Sequence, residues 1–495
     1  MYYQSTRGRD SGRKASEAIA FGLASDGGLY VPESLPVPPN GWITDLTRMS
    51  YSERAAYIVG LFLSEFSATE LNKYATDAYS NDTFDDPLIA PMHKIDRNTF
   101  FLELWHGPTA AFKDMALQLH PYLLTASIKK KGDIRDVCIL VATSGDTGKA
   151  ALEGFKDIPG IKIMVFYPRD GVSDVQKLQM ISQEGGNVNV VAVEGNFDHT
   201  QTGVKQIFSD ADIARELNRR GITFSSANSI NWGRLVPQIV YYISAYCDML
   251  SSGVIVQDER INFCVPTGNF GNIMSAYYAE KLGLPIGKLI CASNRNNVLT
   301  QFIDTGVYDR IRPFFTTSSP SMDILVSSNL ERLLFQLSGR DGETIERYMN
   351  ALNGEGKYEI SGVLKDEIGR LFAGGACSED DTMRSIASIY NKHGYLIDTH
   401  TAVAANVLNK YREKTGDETK TVIVSTASPF KFADNVLKAL GHPLNGNGGR
   451  GINELEVITG LKAPEPLSGL CEKSVRFDEC VAPEGMRDSV LKFLN

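Results

Sequence analysis

The chain lacks any uninterrupted apolar run of the roughly 18 residues needed to cross a membrane, so no membrane partner is expected. It also lacks an excess of positive charge. Fifty lysines and arginines face 59 acids, a formal net charge of −9, which argues against nucleic acid as the main partner. Cysteine is sparse: the seven are scattered, none forms a CxxC, and Cys471 and Cys480 lack zinc-ligand spacing. No disulfide framework or metal site is therefore expected. Each cysteine reads as a small buried apolar residue, and a reducing, cytoplasmic setting fits. The opening stretch MYYQSTRGRDSGRKAS is polar and basic and has no signal-peptide core. Internal repeats and low-complexity tracts are absent too. What remains is an ordinary globular composition, 43% hydrophobic and 22% charged, over 495 residues, enough for more than one folding unit.

From about residue 98 to 300, strand and helix patterns alternate. VCILVAT (137–143) is a continuous apolar, β-branched run of the kind a buried parallel strand needs, and IKIMVFYP, VNVVAVEG and INFCVPTG read the same way. Between them the spacing predicts helices over 147–155, 174–183, 198–219 and 232–250. The alternation predicts a parallel sheet covered by helices on both faces. KTVIVSTAS (420–428) predicts one more buried strand, arriving late. Residues 305–390 break the rhythm and read as helices and loops inserted over the sheet. The first hundred residues read as mostly helical, with DGGLYVPESLP as a turn-rich lead-in.

Ligands of open α/β sheets bind at the carboxyl ends of the strands, so the loops there carry the chemistry. PTGNFGN (266–272) joins the strand INFCV to the helix IMSAYYAEKLG. Gly268 and Gly271 permit a tight turn, and the N–H groups of the helix start suit a phosphate; a plain strand–helix turn is the competing reading. ATSGDTGKAA (142–151) places Ser144, Gly145, Asp146 and Thr147 at a helix start, as N-caps or as anion ligands. In STASPFKF (425–432), the Thr426 hydroxyl faces either the sheet's ligand edge or its own backbone. GNGGRG (446–451) matches GxGxxG but has no strand before it, and is rejected as a dinucleotide site. LELWHGPTAAFKDMALQ (102–118) sets Lys113 at a loop-to-helix junction, with Met115, Leu119, Tyr122 and Leu123 in helical spacing behind it. Alone, Lys113 would be a solvated helix residue. Beside a phosphate-binding loop, its amine suggests attachment of an aldehyde cofactor, pyridoxal phosphate (PLP).

HGPTAAFKD, TSGDTG, NSINWGR, PTGNFGN and STASP occur in the order found in threonine synthases, and DGGLYVPESLP resembles that family's lead-in. The resemblance spans about residues 15 to 440 and is to the longer, bacterial and fungal branch. It implies an α/β protein of PLP-dependent fold type II, similar to the tryptophan synthase β chain, with two open parallel-type sheets covered by helices. It further implies an N-terminal, mostly helical domain over 1–97, a large PLP-binding domain over 98–130 and 229–495 with the insertion at about 305–390, and a small substrate-binding domain over 131–228. Lys113 is the implied attachment point and catalytic base. Gly268, Asn269, Phe270, Gly271 and Asn272 are implied to surround the cofactor phosphate, and Thr426 to meet the pyridine nitrogen, where a neutral hydroxyl tolerates an unprotonated ring.

The implied substrate is O-phospho-L-homoserine. Its α-carboxylate would meet Ser144, Gly145, Asp146 and Thr147. Its phosphate would meet Asn228, Ser229, Asn231 and Arg234, the arginine pairing bidentately. Many shorter relatives carry Asn where Asp146 stands. An acid facing a carboxylate would repel it, so Asp146 is expected to turn away and cap the helix. Lys149, Lys177 and Lys205 rank as lesser cations, and His106 and His400 as hydrogen-bonded structural histidines. The implied reaction is that of a lyase: γ-elimination of phosphate, then β-hydration to L-threonine, the last step of threonine biosynthesis. Two alternatives stand beside it, a phospholyase giving 2-oxobutyrate and a non-catalytic PLP-binding protein. A monomer and a homodimer are both compatible with the sequence.

Overall fold

The computed structural model describes residues 1–143, 145–169, 172–444 and 450–495, without the side chains of Phe197 and Asp198. Two sheets organise the chain. The first has six strands in the order Phe372–Ala376, Ile286–Ser293, Ile261–Pro266, Thr421–Ser425, Thr99–Glu103 and Met92–Lys94. All neighbours are parallel except the last pair. The second has five strands, all parallel, in the order Cys480–Val481, Val188–Val193, Ile161–Pro168, Asp136–Ala142 and Ile222–Ser225. The expected late strand therefore sits centrally in the first sheet, and Val422, Ile423 and Val424 are buried as its apolar run requires.

Several expectations need correction. The 305–390 stretch is more than a cover of helices and loops, because Phe372–Ala376 forms an edge strand of the first sheet. Its sequence, FAGGA, hides the strand, since glycine is a poor strand former. Close packing explains the glycines: a Cβ on Gly375 would come within 2.5 Å of the Val407 side chain. The helix predicted over 198–219 is two helices, Phe197–Ser209 and Ala211–Arg219. They are split at Asp210, whose extended backbone and carboxylate cap the second by accepting from Asp212 N–H and Ile213 N–H. The helix behind Lys113 is also interrupted, into Asp114–Leu117 and His120–Lys130. Pro121 has no N–H to return to the Leu117 carbonyl, and that carbonyl packs where a side chain on Gly154 would be. The N-terminal region adds an antiparallel three-stranded sheet, Arg13–Lys14, Tyr2–Ser5 and Tyr30–Pro32, to its helices.

Five cysteines are buried, but Cys471 and Cys480 are exposed, one within the 3-10 helix Leu470–Glu472 and one on the edge strand. Among the described residues no helix is long and apolar enough to cross a membrane. Residues 445–449 of the GxGxxG match, and Ser144, lie outside the described residues.

Candidate active site

Lys113 sits at the start of the Asp114–Leu117 helix, its side chain 12% exposed. The turn before it is held by Asp114, which accepts from the Thr109 N–H (2.9 Å) and hydroxyl (2.7 Å). Burial pushes the Asp114 carboxyl up to about 6, against those hydrogen bonds. The loop is fastened to the end of the central strand: Phe112 N–H donates to the Thr426 carbonyl (2.8 Å) and Ser428 N–H to the Ala110 carbonyl (3.1 Å). Thr426 is thereby set beside Lys113. It is buried, and its hydroxyl is not engaged by any described residue.

The Lys113 Nζ lies 3.3 Å from Asp146 Oδ2 and 3.3 Å from Ser321 Oγ. Burial lowers the Lys113 pKa; Asp146 opposes this, and Lys431 and Arg234 add to it. Asp146 thus faces into the site, contrary to expectation. The N-cap of its helix, Asp146–Phe155, is Gly145, and the Thr143 hydroxyl just before it accepts from Gly145 N–H (3.0 Å) and Gly148 N–H (2.9 Å), so the acid is not used at the helix start. Asp146 Oδ1 receives Gln176 Nε2 (2.7 Å) and Lys431 Nζ (3.1 Å), and Oδ2 also receives the Ser321 hydroxyl (3.0 Å). Burial alone would raise this carboxyl; Lys431 and Lys113 outweigh it and hold the group well below the usual range. Gly145, at φ 142°, leaves the room Gln176 needs, since a Cβ there would lie 2.5 Å from that side chain. Thr147 follows in the same first turn, half-buried.

The loop 268–272 leads from the strand Ile261–Pro266 into the helix Gly271–Lys281, with Phe270 in the left-handed region at φ 63°. The first N–H groups of that helix have no acceptor within it. Gly268 is pressed against the 317–329 segment: a Cβ would fall 2.5 Å from the Ser321 carbonyl oxygen, and Ser327 Oγ donates to the Gly268 carbonyl (2.7 Å). Asn329 N–H and Nδ2 both donate to the Asn269 carbonyl. Asn272 Oδ1 accepts from Tyr241 and Tyr242, while its buried Nδ2 has no partner among the described residues. Ser321 touches both this loop and Lys113, so lysine and loop share one site.

The 228–234 residues divide. Asn231 caps the helix Trp232–Ser251 by accepting from Gly233 N–H (2.8 Å), and its Nδ2 donates to the Ile19 carbonyl (2.9 Å), so both ends of its amide are held by backbone. Asn228 and Ser229 are half-buried in the preceding turn. Arg234 is 3% exposed; it donates from Nη1 to the Ala227 carbonyl, and its Nε has no partner among the described residues. Burial lowers it to about 10, with no acid compensating. Lys149 is taken up by Glu153 (2.9 Å) and Gln183, and Lys205 is exposed. His106 is clamped between Asp85 (2.6 Å) and Glu103 (2.8 Å). His400 is held by Asp398 (2.7 Å) and accepts from Ser321 N–H (3.2 Å), so it steadies the Ser321 turn.

Sequence reasoning missed Ser321 and Lys431. Ser321 belongs to a turn, Pro320–Met322, within the irregular 305–390 region. Lys431 follows Thr426 inside STASPFKF, where a lysine near a proline reads as a surface residue, yet it is 0% exposed.

Residues 2–79 match the family described as Threonine synthase N terminus, 87–352 that described as Pyridoxal-phosphate dependent enzyme, and 401–489 that described as Threonine synthase, C-terminal. The chain is 43% identical to Threonine synthase-like 1 of Homo sapiens over 86% of its own length, but spans only 58% of that relative. It is 38% identical to Threonine synthase of Pseudomonas aeruginosa, over 89% of this chain and 90% of that one. The crystal structure of PLP-bound threonine synthase from Brucella melitensis superposes with a TM-score of 0.88 at 36% identity, covering 100% of this chain and 99% of that one. The two-sheet α/β architecture is that of PLP-dependent fold type II, and the chain belongs to the threonine synthase family of pyridoxal-phosphate-dependent enzymes.

Proposed function

We propose that this chain converts O-phospho-L-homoserine and water to L-threonine and phosphate, as a PLP-dependent lyase. Its residues fit the cofactor. The unpartnered Asn272 Nδ2, the free N–H groups at the start of the Gly271–Lys281 helix and the close approach allowed by Gly268 suit its phosphate. The Thr426 hydroxyl suits its ring nitrogen, and the Lys113 amine, eased toward neutrality by burial, suits its aldehyde. When bound, PLP supplies an electron sink conjugated to the substrate α-carbon.

The observation that carries the reading is Arg234. A guanidinium that is 3% exposed, has no acid beside it among the described residues and acts electrostatically on Lys113 calls for an anion in the site. A substrate phosphate supplies that anion, with Asn228 and Ser229 at the turn nearby. The Thr147 N–H at the Asp146–Phe155 helix start suits the substrate carboxylate. Lys113, once free, moves a proton from Cα and returns protons later in the sequence. Arg234 holds the phosphate as it leaves Cγ, and water adds at Cβ.

A second reading, a phospholyase ending in 2-oxobutyrate, draws on the same Lys113 amine and Arg234 guanidinium. One assay separates the readings: phosphate release from O-phospho-L-homoserine with identification of the organic product. Threonine supports the proposal and 2-oxobutyrate the alternative. Lys113→Ala is expected to abolish turnover, and retained turnover refutes its role.

A further inference from the structure

Nothing in the sequence marks Lys431, yet it is the most deeply buried of the cations around Lys113 described above, at 0% exposure against 3% for Arg234. An ammonium removed from water needs an equally buried anion. Lys431 has one in Asp146, at 3.1 Å, and donates besides to the Thr109 carbonyl at 2.7 Å. That carbonyl belongs to the turn that delivers Lys113, so Lys431 joins the lysine loop to the helix bearing Asp146.

The two oxygens of Asp146 divide their work. Oδ1 takes Lys431 and Gln176 (2.7 Å); Oδ2 takes Lys113 (3.3 Å) and Ser321 (3.0 Å). One oxygen is anchored, and the other is presented to the reactive amine. We propose that Lys431 is a positioning residue, which fixes Asp146 as an oriented anion so that Oδ2 receives a hydrogen from Lys113. The inference rests on Lys113 being the cofactor lysine, as proposed above.

Other charges face the same groups. Arg234 acts on Lys113, His400 on Asp146, and Asp114 and Lys149 are coupled to Lys431. Lys431 differs from them in direct contact with the Asp146 carboxylate. Once Lys113 is engaged with an aldehyde, Lys431 remains as a cation paired with Asp146. This also answers why an acid is tolerated where the substrate carboxylate would repel it: its charge is already neutralised from behind.

The test is a pH titration of the cofactor absorbance band in four PLP-loaded proteins, with thermal midpoints measured alongside. Lys431→Met leaves Asp146 uncompensated, so protonation at the Lys113 nitrogen is favoured and the midpoint rises by about one pH unit or more. Asp146→Asn lowers it. The double variant lies between them and melts above Lys431→Met, because neither member of the Lys431–Asp146 pair is left buried without the other. A filler role for Lys431 would change melting without moving the titration. An unchanged or lowered midpoint in Lys431→Met overturns the assignment. Should that variant not fold, Asp146→Asn is compared with the double variant, and equal midpoints there overturn it. Borohydride reduction of the wild type separates the two levels of the argument. Failure to label Lys113 overturns the cofactor reading and this inference together. A label at Lys113 with an unchanged midpoint overturns only the role of Lys431.

Discussion

Replacing Arg234 by methionine is expected to stabilise the protein in anion-free buffer and to abolish its response to phosphate. The guanidinium is 3% exposed and has no acid beside it among the described residues. Its fall from 12.5 to about 10 corresponds to roughly 3 kcal/mol, at about 1.4 kcal/mol per pH unit. The folded pKa lies below the unfolded one and both lie above neutrality, so arginine is charged in both states at pH 7 and the whole penalty stands. Methionine removes it but also removes the hydrogen bond to the Ala227 carbonyl, which leaves a net gain of about 1–2 kcal/mol. For a chain of this length, with an unfolding entropy on the order of 1 kcal/mol/K, that is a thermal midpoint higher by roughly 1–2 °C. The assay is thermal unfolding of PLP-loaded protein, so that the 268–272 loop is filled, first without and then with inorganic phosphate. Wild-type stability climbs with phosphate, by about 2.7 kcal/mol at a hundredfold excess over the dissociation constant, and the variant stays flat. A variant that melts below wild type without anion, or that gains equally from phosphate, refutes the reasoning.

Gly268→Ala forces a Cβ to within 2.5 Å of the Ser321 carbonyl, so the turn moves at a cost of about 1–3 kcal/mol, and cofactor affinity measured by dialysis falls at least about tenfold; unchanged affinity counts against the shared site. Burial would lower His106, but Asp85 and Glu103 raise it to about 9. Its contribution is therefore fully present below about pH 6.5 and is lost as pH rises through 9, roughly 3 kcal/mol in all. His106→Gln is expected to flatten denaturant stability between those values, and an unchanged slope refutes the clamp.

The lysine, the phosphate loop and the buried strands were legible because each has a local signature: Lys113 before a helical apolar pattern, glycines between strand and helix, and VIV in a late strand. Asp146 was misread because the hydroxyl that serves its helix start, that of Thr143, stands three residues earlier, and because the lysine that tames its charge lies far along the chain at 431. Ser321 was illegible for the same reason. Its value lies in touching Gly268, Lys113 and Asp146 at once, a convergence of four distant segments that no window of sequence contains. The FAGGA strand was lost because its glycines answer to Val407 and Thr300 rather than to strand propensity.

The strand Cys480–Val481, placed beside Val188–Val193, has a consequence for biosynthesis. The chain lays down four strands of the second sheet by residue 225, returns to build the first, and supplies the fifth strand only at the far end. A nascent chain on the ribosome must therefore hold an open edge, Val188–Val193, until Cys480–Val481 have been made. Whatever shields that edge in the interval, a chaperone or the growing first sheet, governs how much of the protein reaches its finished form.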